Sequence, residues 1–149
     1  MWEAETVLLA QHDRHDVLLT SLAFATSGLP HSLQIAGDGD EAIAYLSRRG
    51  RFANRRRYSF PVLMLLDLML PKVSGLEVLE WKEQRPELHN LPVVALAATQ
   101  NDPAFGRAME LGAVSCLTKP PDPEALHRVV HQFDTYWLSE SHGVEKGAL

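Results

Sequence analysis

Two side chains that often carry chemistry follow apolar runs in this sequence. Asp67 closes the run "LMLLD" at 63–67, and Lys119 follows "VSCLT" at 114–118. A carboxylate in such an apolar setting needs a partner, because burying an unpaired charge is costly. Active sites use such groups as nucleophiles, ion ligands and charge partners. The simpler alternatives are that Asp67 caps a neighbouring loop and that Lys119 points into solvent.

A third polar group follows the run "VLLA" at 7–10, where Gln11, His12 and Asp13 come in succession. Imidazole and carboxylate groups bind metal ions, whereas the amide of Gln11 offers only a neutral oxygen. A transition-metal site could combine His12 with Asp67 and the chain's one cysteine, Cys116. A lone cysteine inside an apolar run is more often a small buried hydrophobe.

Apolar and amphipathic segments alternate along the chain and must position these residues. Five segments have the length and composition of strands: residues 6–10, 32–36, 61–68, 92–98 and 114–118. Five others have helical spacing or helix-start signals: residues 15–28, 38–49, 74–85, 101–112 and 121–138. The start signals include Asp38 followed by Glu41, which is typical of a capping box, and the dipeptide Asp102–Pro103.

Repeated strand–helix units predict a doubly wound α/β fold, with one five-stranded parallel sheet and helices on both faces. In such sheets functional residues gather at the carboxyl ends of the strands. This rule brings four groups to one edge of the sheet: residues 11–13, Asp67, residues 97–99 and Lys119.

Length and composition indicate one globular domain. The chain has 149 residues, 46% hydrophobic and 22% charged. We expect the domain to span residues 5–138 and residues 139–149 to form a flexible tail. No apolar run approaches the roughly 20 residues that cross a bilayer. The N-terminus has no secretory signal, and one cysteine fits a reducing compartment, so we expect a cytoplasmic protein that does not bind membranes.

The charge of the chain is unevenly distributed. The net charge is −5, which argues against general nucleic-acid binding. The segment "RRGRFANRRR" at 48–57 holds six arginines, and without them the net charge of −5 becomes −11. Such a segment could recognise phosphate or an acidic partner face, but a solvated loop is the more common outcome.

The stretches "LLDLMLPKVSG", "ELGA" and "TKP", in this order, resemble the receiver domain of response regulators. The stretches "DGDEAIAYLSRRGRF", "PELHNLPVVAL" and "YWL" are similar to those of small stand-alone regulators paired with phytochrome-type histidine kinases. The resemblance covers residues 5–138. It implies the flavodoxin-like receiver fold and a non-enzymatic role in a two-component phosphorelay, with a histidine kinase as partner.

The resemblance also implies roles for individual residues. Asp67 would accept a phosphoryl group from a phosphohistidine, and Lys119, followed by Pro120, would pair with the phosphoryl oxygens. In the family, two acids after the first strand and the phosphoacceptor aspartate hold Mg²⁺. A hydroxyl after the fourth strand contacts the phosphoryl group, and an aromatic residue of the fifth strand turns inward in response.

Four of those positions depart from the family in this chain. The acid pair falls on Gln11 and His12, the hydroxyl on Ala97 and the aromatic residue on Cys116. Losing both carboxylates removes several kcal/mol of Coulomb attraction for a divalent ion at an effective dielectric of ~20. Asp13 lies one position late and would ligate the ion only after a shift of its loop.

We therefore expect Mg²⁺ binding to be weak or absent, with Asp67 and Asp13 as the only acidic ligands. We also expect a metal-free pocket in which His12 and Lys119 flank Asp67. Three functions are compatible with this pocket. The first is a response regulator that acts through protein contacts with impaired phosphorylation, the second a fully phosphorylatable receiver with relaxed metal ligation, and the third a transition-metal site.

The last predicted helix has more apolar surface than one buried face needs. In similar receivers the fourth helix, fifth strand and fifth helix form a two-fold dimer surface, so we expect a homodimer. Phe133 and Trp137 are the expected contact residues, because aromatic side chains are enriched in the buried centres of interfaces.

Overall fold

The structure, a computed structural model, describes residues 5–133 of the chain. Its strands are β1 (Thr6–Ala10), β2 (Ser32–Ala36), β3 (Leu63–Asp67), β4 (Val93–Ala97) and β5 (Ser115–Thr118). All neighbouring strands pair in parallel, in the order β2-β1-β3-β4-β5. The predicted doubly wound parallel sheet is therefore confirmed.

Helices connect the strands. They are α1 (Arg14–Thr26), α2 (Gly39–Ser47), α3 (Gly75–Glu83) and α4 (Pro103–Glu110), and residues 123–133 belong to a fifth helix, α5. Two 3₁₀ turns, Gly50–Ala53 and Pro86–Leu88, follow α2 and α3. Trp137 and residues 139–149 lie outside the described residues, so the predictions made for them are not tested.

Caps define where the helices begin. The Asp38 carboxylate accepts a hydrogen bond from the Glu41 amide at 2.8 Å, but the Glu41 carboxylate accepts from Gly37 and not from Asp38. The capping box predicted at the start of α2 is thus only half formed. A complete capping box lies instead at the start of α3, between Ser74 and Glu77.

The structure shortens several predicted elements. The strand predicted at 61–68 spans Leu63–Asp67, since Pro61 has no amide hydrogen to give to a neighbouring strand. The helix predicted at 101–112 spans Pro103–Glu110. It begins after the cap residue Asp102 and ends before Gly112, whose φ of +102° leaves the helical region.

The core forms two layers, one on each face of the sheet. Every residue of β1, β3 and β4 is buried, whereas the edge strands β2 and β5 are partly exposed. One apolar cluster lies under α2, α3 and α4, and the other lies under α1 and α5. The half-buried ring of Phe133 packs against the second cluster, so only part of it remains for an intermolecular contact.

None of the helices described between residues 5 and 133 is long and apolar enough to span a bilayer.

Candidate functional site

The carboxyl ends of three strands bring Gln11, Asp67 and Lys119 together. Asp67 is the last residue of β3, Gln11 follows β1 directly, and Lys119 follows β5. The Gln11 amide donates to the Ala36 carbonyl at 3.0 Å, and the Lys119 amide donates to the Ala97 carbonyl at 2.8 Å. These backbone bonds extend the sheet by one residue and fix the directions of both side chains.

The Asp67 carboxylate is almost fully enclosed and hydrogen-bonded through both oxygens. The residue is only 1% exposed. Its Oδ1 accepts from the Met69 amide at 2.9 Å, and its Oδ2 accepts from Gln11 Nε2 at 3.1 Å. The ammonium of Lys119 lies 3.2 Å from Oδ1 and 3.0 Å from Oδ2. The partner that the buried acid requires is thus Lys119, as the sequence indicated.

Lys119 also contacts a second carboxylate, that of Asp16 in the first turn of α1. Lys119 Nζ lies 3.3 Å from Asp16 Oδ2. Burial alone lowers the pKa of Lys119, but hydrogen bonds and charge attraction from Asp67 and Asp16 outweigh it and raise the pKa. The ammonium therefore stays protonated between two carboxylates.

The residue pattern assigns Asp16 no role in the site. An acid in the first turn of a helix usually favours the helix N-terminus by charge alone, so its residue type carried no specific signal. A usable signal was available, because the turn between β1 and α1 is short and places Asp16 near the same edge of the sheet as Asp67.

Gln11, and not His12, is the neighbour of Asp67. Gln11 is fully buried, whereas His12 is exposed and its Nδ1 lies 2.8 Å from the Gly37 carbonyl oxygen. The prediction that His12 flanks Asp67 is wrong, because successive side chains of extended backbone point to opposite sides. Only one of the two can enter the pocket, and it is the uncharged one.

The Oε1 atom of Gln11 is buried and has no hydrogen-bond partner among residues 5–133. Its amide NH₂ is held by Asp67. An unpaired buried acceptor costs about 1–3 kcal/mol. The site thus retains one acceptor that a donor or a cation could use.

Asp13 serves as the N-cap of α1. Its Oδ1 accepts from the Asp16 amide at 3.0 Å, and this hydrogen bond lowers the pKa of the Asp13 carboxyl. The residue is exposed. A metal-binding role for Asp13 stays an untested prediction.

The two residues predicted to occupy switch positions lie on β4 and β5. Ala97 is the last residue of β4, is fully buried and offers no hydroxyl. Cys116 on β5 is half-buried and packs against the cluster under α2, α3 and α4. Burial raises the pKa of its thiol, which keeps the sulfur protonated. Pro120 follows Lys119 through a cis peptide bond.

A transition-metal site is not assembled from these residues. Within the described part of the chain, no three His, Cys, Asp or Glu side chains are grouped so that they could hold a metal ion. His12 faces Gly37 and Cys116 packs in the apolar core.

Comparisons with known proteins identify the family of the chain. The family model "Response regulator receiver domain" matches residues 7–131. The chain is 35% identical to the response regulator Rcp1 of Synechocystis sp. (strain ATCC 27184 / PCC 6803 / Kazusa) over 134 residues, covering 90% of this chain and 89% of Rcp1.

Solved structures of phytochrome response regulators have similar folds. The bacteriophytochrome response regulator AtBRR aligns with a TM-score of 0.78 and 32% identity, covering 89% of this chain and 94% of AtBRR. The phosphorylated cyanobacterial phytochrome response regulator RcpA aligns with a TM-score of 0.72 and 34% identity, covering 93% and 96%. The Mn²⁺-bound form of the response regulator Rcp1 aligns with a TM-score of 0.69 and 34% identity, covering 90% of this chain and 94% of the Rcp1 chain. The chain therefore belongs to the response regulator receiver family and is similar to phytochrome response regulators over most of its length.

Proposed function

We propose that this response regulator passes on its signal through protein contacts, with Mg²⁺-dependent phosphorylation of Asp67 slow or absent. One observation carries the proposal: Gln11 and Lys119 already hold both oxygens of Asp67 in a pocket that leaves the residue 1% exposed.

The hydrogen bonds at Asp67 oppose attack on a phosphoryl donor. A carboxylate oxygen attacks phosphorus through a free lone pair, and the donor must approach it in line. Here Met69, Gln11 and Lys119 direct donors at the two oxygens. Phosphorylation would weaken some of these hydrogen bonds, which adds to the barrier.

The residues in the pocket do not fit Mg²⁺. Mg²⁺ prefers hard oxygen ligands, usually carboxylates, in octahedral geometry. Asp67 and Asp16 share the ammonium of Lys119, Asp13 caps α1, and Gln11 contributes a neutral amide. An ammonium within 3.3 Å of both carboxylates repels a divalent ion placed between them.

A second candidate is a phosphorylatable receiver with relaxed metal ligation. It is supported by the unpaired Oε1 of Gln11 and by Asp16, which together with Asp67 would give three oxygen ligands if Lys119 moved away. In that case an Asp67 oxygen would bond to phosphorus as the P–N bond of the kinase phosphohistidine breaks, and the imidazole would leave with the electron pair.

Receiver domains of phytochrome-linked regulators work with histidine kinases, and we propose such a kinase as the upstream partner, in the cytoplasm. Ala97 and Cys116 provide neither the hydroxyl nor the aromatic ring of the usual switch, so phosphorylation would change the α4–β5–α5 surface little. A homodimer through that surface, with Phe133 and Trp137 in contact, remains our prediction. The proposal includes no direct contact with nucleic acid or membranes.

The test compares the wild-type protein with the double variant Gln11→Glu/His12→Asp. Both are incubated with acetyl phosphate in either millimolar MgCl₂ or EDTA, and phosphoprotein is measured by intact mass. We expect slow, Mg²⁺-insensitive modification of the wild-type protein and a Mg²⁺-dependent gain of at least about tenfold in the variant, since the carboxylate at position 11 points into the pocket and restores several kcal/mol of attraction. Asp67→Asn is the negative control.

The proposal is wrong if wild-type protein in MgCl₂ is modified as fast as the double variant. That result would favour the second candidate. Substituting Asp16→Asn in the wild-type background would then show whether Asp16 supplies the missing carboxylate, by removing the Mg²⁺ dependence.

A further inference from the structure

Four arginines stack on aromatic rings within residues 5–133, three of them in the segment 48–57 and the fourth just after α3. The guanidinium carbons of Arg48, Arg51, Arg57 and Arg85 lie 5.3, 4.6, 5.7 and 4.2 Å from the ring centroids of Phe60, Phe52, Tyr58 and Trp81, respectively. Arg49, Arg55 and Arg56 are exposed on the same segment. We call these seven arginines the arginine surface.

Part of the arginine surface lies at the end of the sheet opposite Asp67. Ser59 Oγ is 2.6 Å from the hydroxyl of Thr6, the first residue of β1, and the Val62 amide donates to the Thr6 carbonyl at 2.8 Å. This part of the surface therefore lies at the amino ends of the strands, whereas Arg51 pairs with Glu41 at the start of α2 and Asp67 lies at a carboxyl end. Nothing proposed above for the site uses these arginines.

A groove of about 470 Å³ runs through this surface between the end of α2 and the end of α3. Arg48 and Arg85 flank it, and Phe60, Trp81 and Leu88 provide its apolar lining. Arg85 is fixed by a hydrogen bond to the Trp81 carbonyl at 2.9 Å as well as by the ring beneath it. Two guanidinium groups are thus held beside an apolar slot and keep donors free for a ligand.

Few arginines of the arginine surface are paired with carboxylates of residues 5–133. Three carboxylates border it, those of Asp40, Glu41 and Glu87. Only Glu41 forms an ion pair with it, to Arg51 at 3.4 Å. The described residues provide no ion pair for Arg48 or Arg85, and such planar donors bind carboxylates in two-point contacts.

The backbone conformation at Arg48 is less favourable for arginine than for glycine. Arg48 ends α2 with φ +57°, a conformation that costs an L side chain energy and is usually taken by glycine. A glycine would relieve this cost, but it would also remove the guanidinium from the rim of the groove.

We propose that the groove binds an acidic peptide segment of a partner protein, with carboxylates on Arg48 and Arg85 and an apolar side chain against Trp81 and Phe60. The rest of the chain carries −11 once the six arginines of 48–57 are removed, so an extended polyanion such as nucleic acid or an anionic membrane is repelled around the patch. A short acidic segment with an apolar anchor matches both the charge and the lining of the groove.

The test measures binding of a fluorescent Asp/Glu-rich peptide with interspersed leucines at physiological salt. Two variants have the same loss of charge: Arg48→Gly/Arg85→Gln in the groove, and Arg14→Gln/Arg128→Gln on α1 and α5 as the control. We expect the groove variant to bind the peptide at least about tenfold more weakly, as for two lost charge-assisted hydrogen bonds, and the control to change less than about threefold. The single variant Arg48→Gly should fold with an unchanged or higher melting temperature and still bind the peptide more weakly.

Three results would overturn the proposal. The first is an equal loss in both double variants, which would mean that only net charge matters. The second is no binding of the peptide by the wild-type protein, or equal binding of its Asn/Gln analogue. The third is tighter binding of a single-stranded oligonucleotide or of phosphatidylserine-containing vesicles than of the peptide, since the partner would then be a nucleic acid or a membrane.

Discussion

At the scale of single residues, the site depends on one ammonium shared by two carboxylates. A charge pair at about 3 Å is worth about 5 kcal/mol at an effective dielectric of ~20, before the cost of taking both groups out of water. Lys119 makes such contacts with Asp67 at 3.0 Å and with Asp16 at 3.3 Å. The Asp67 side chain is 2% exposed and that of Lys119 13%, so solvent screens this pair only weakly.

Replacing Lys119 with Met should destabilise the protein by about 3 kcal/mol, because it leaves the buried Asp67 carboxylate without its cation. The matched control is Lys72→Met, whose ammonium is 65% exposed and 3.4 Å from Asp38. That change should cost less than about 1 kcal/mol. Urea unfolding at neutral pH measures both, and equal stability of Lys119→Met and wild-type protein would show that the ion pair does not form.

At the scale of elements, the site depends on how closely α3 begins behind β3. Gly75, the first residue of α3, donates its amide to the Leu68 carbonyl at 3.3 Å. A Cβ at Gly75 would lie 2.6 Å from both the Asp67 carbonyl oxygen and the Leu68 Cα. Only a residue without a side chain lets the helix start against the loop that carries the Met69 amide to Asp67.

Gly75→Ala should therefore destabilise the protein by about 2 kcal/mol, as for other overpacked positions. It should also shift the NMR signal of the Met69 amide, which donates to Asp67. Gly106→Ala in α4 is the control, since nothing lies within 4 Å of its Cβ position. We expect that change to stabilise the protein by about 0.5–1 kcal/mol through helix propensity. Similar effects of the two substitutions would contradict the close approach of α3.

At the scale of the whole molecule, the two ends of the parallel strands carry different groups of charged residues. The carboxyl ends of the strands carry the Asp67 site, whereas part of the arginine surface lies at the amino ends, on an aromatic cluster. Tyr45, Phe52 and Tyr58 form that cluster, with ring centroids 5.0 to 6.0 Å apart. The Tyr45 hydroxyl donates to the Ser59 carbonyl at 2.9 Å and ties the arginine-rich segment to α2.

Tyr45 should make the stability of the protein fall at high pH. Burial raises the pKa of Tyr45 to about 12 from its ordinary value of 10.0, with a smaller contribution from Tyr58. Because the folded state favours the neutral phenol, this contribution is complete below pH 10.0 and is lost as the pH rises towards about 12. Urea unfolding across this range should show a steeper loss for the wild-type protein than for Tyr45→Phe.

Tyr45→Phe should itself cost about 1 kcal/mol at neutral pH, for one hydrogen bond. Parallel stability curves for the two proteins between neutral pH and about pH 12 would contradict the buried, hydrogen-bonded phenol.

Much of the fold was predictable from local sequence. Strands β1 and β2 have the predicted bounds, and Asp102–Pro103 opens a helix as expected. Alternating strands and helices also determined that Asp67 and Lys119 meet at one edge, because parallel strands end on the same side. These features follow from the pattern of neighbouring residues and from short-range sterics.

Tertiary structure alone decided which polar groups enter the site and which leave it. Gln11 turns inward and His12 outward, Asp16 reaches Lys119 across 103 positions of sequence, and Arg85 joins an arginine segment far from it in the chain. Such contacts depend on side-chain direction and on the packing of α1 and α3 against the sheet. A one-dimensional pattern does not contain this information, since it records the type and spacing of residues but not which distant side chains share the same space.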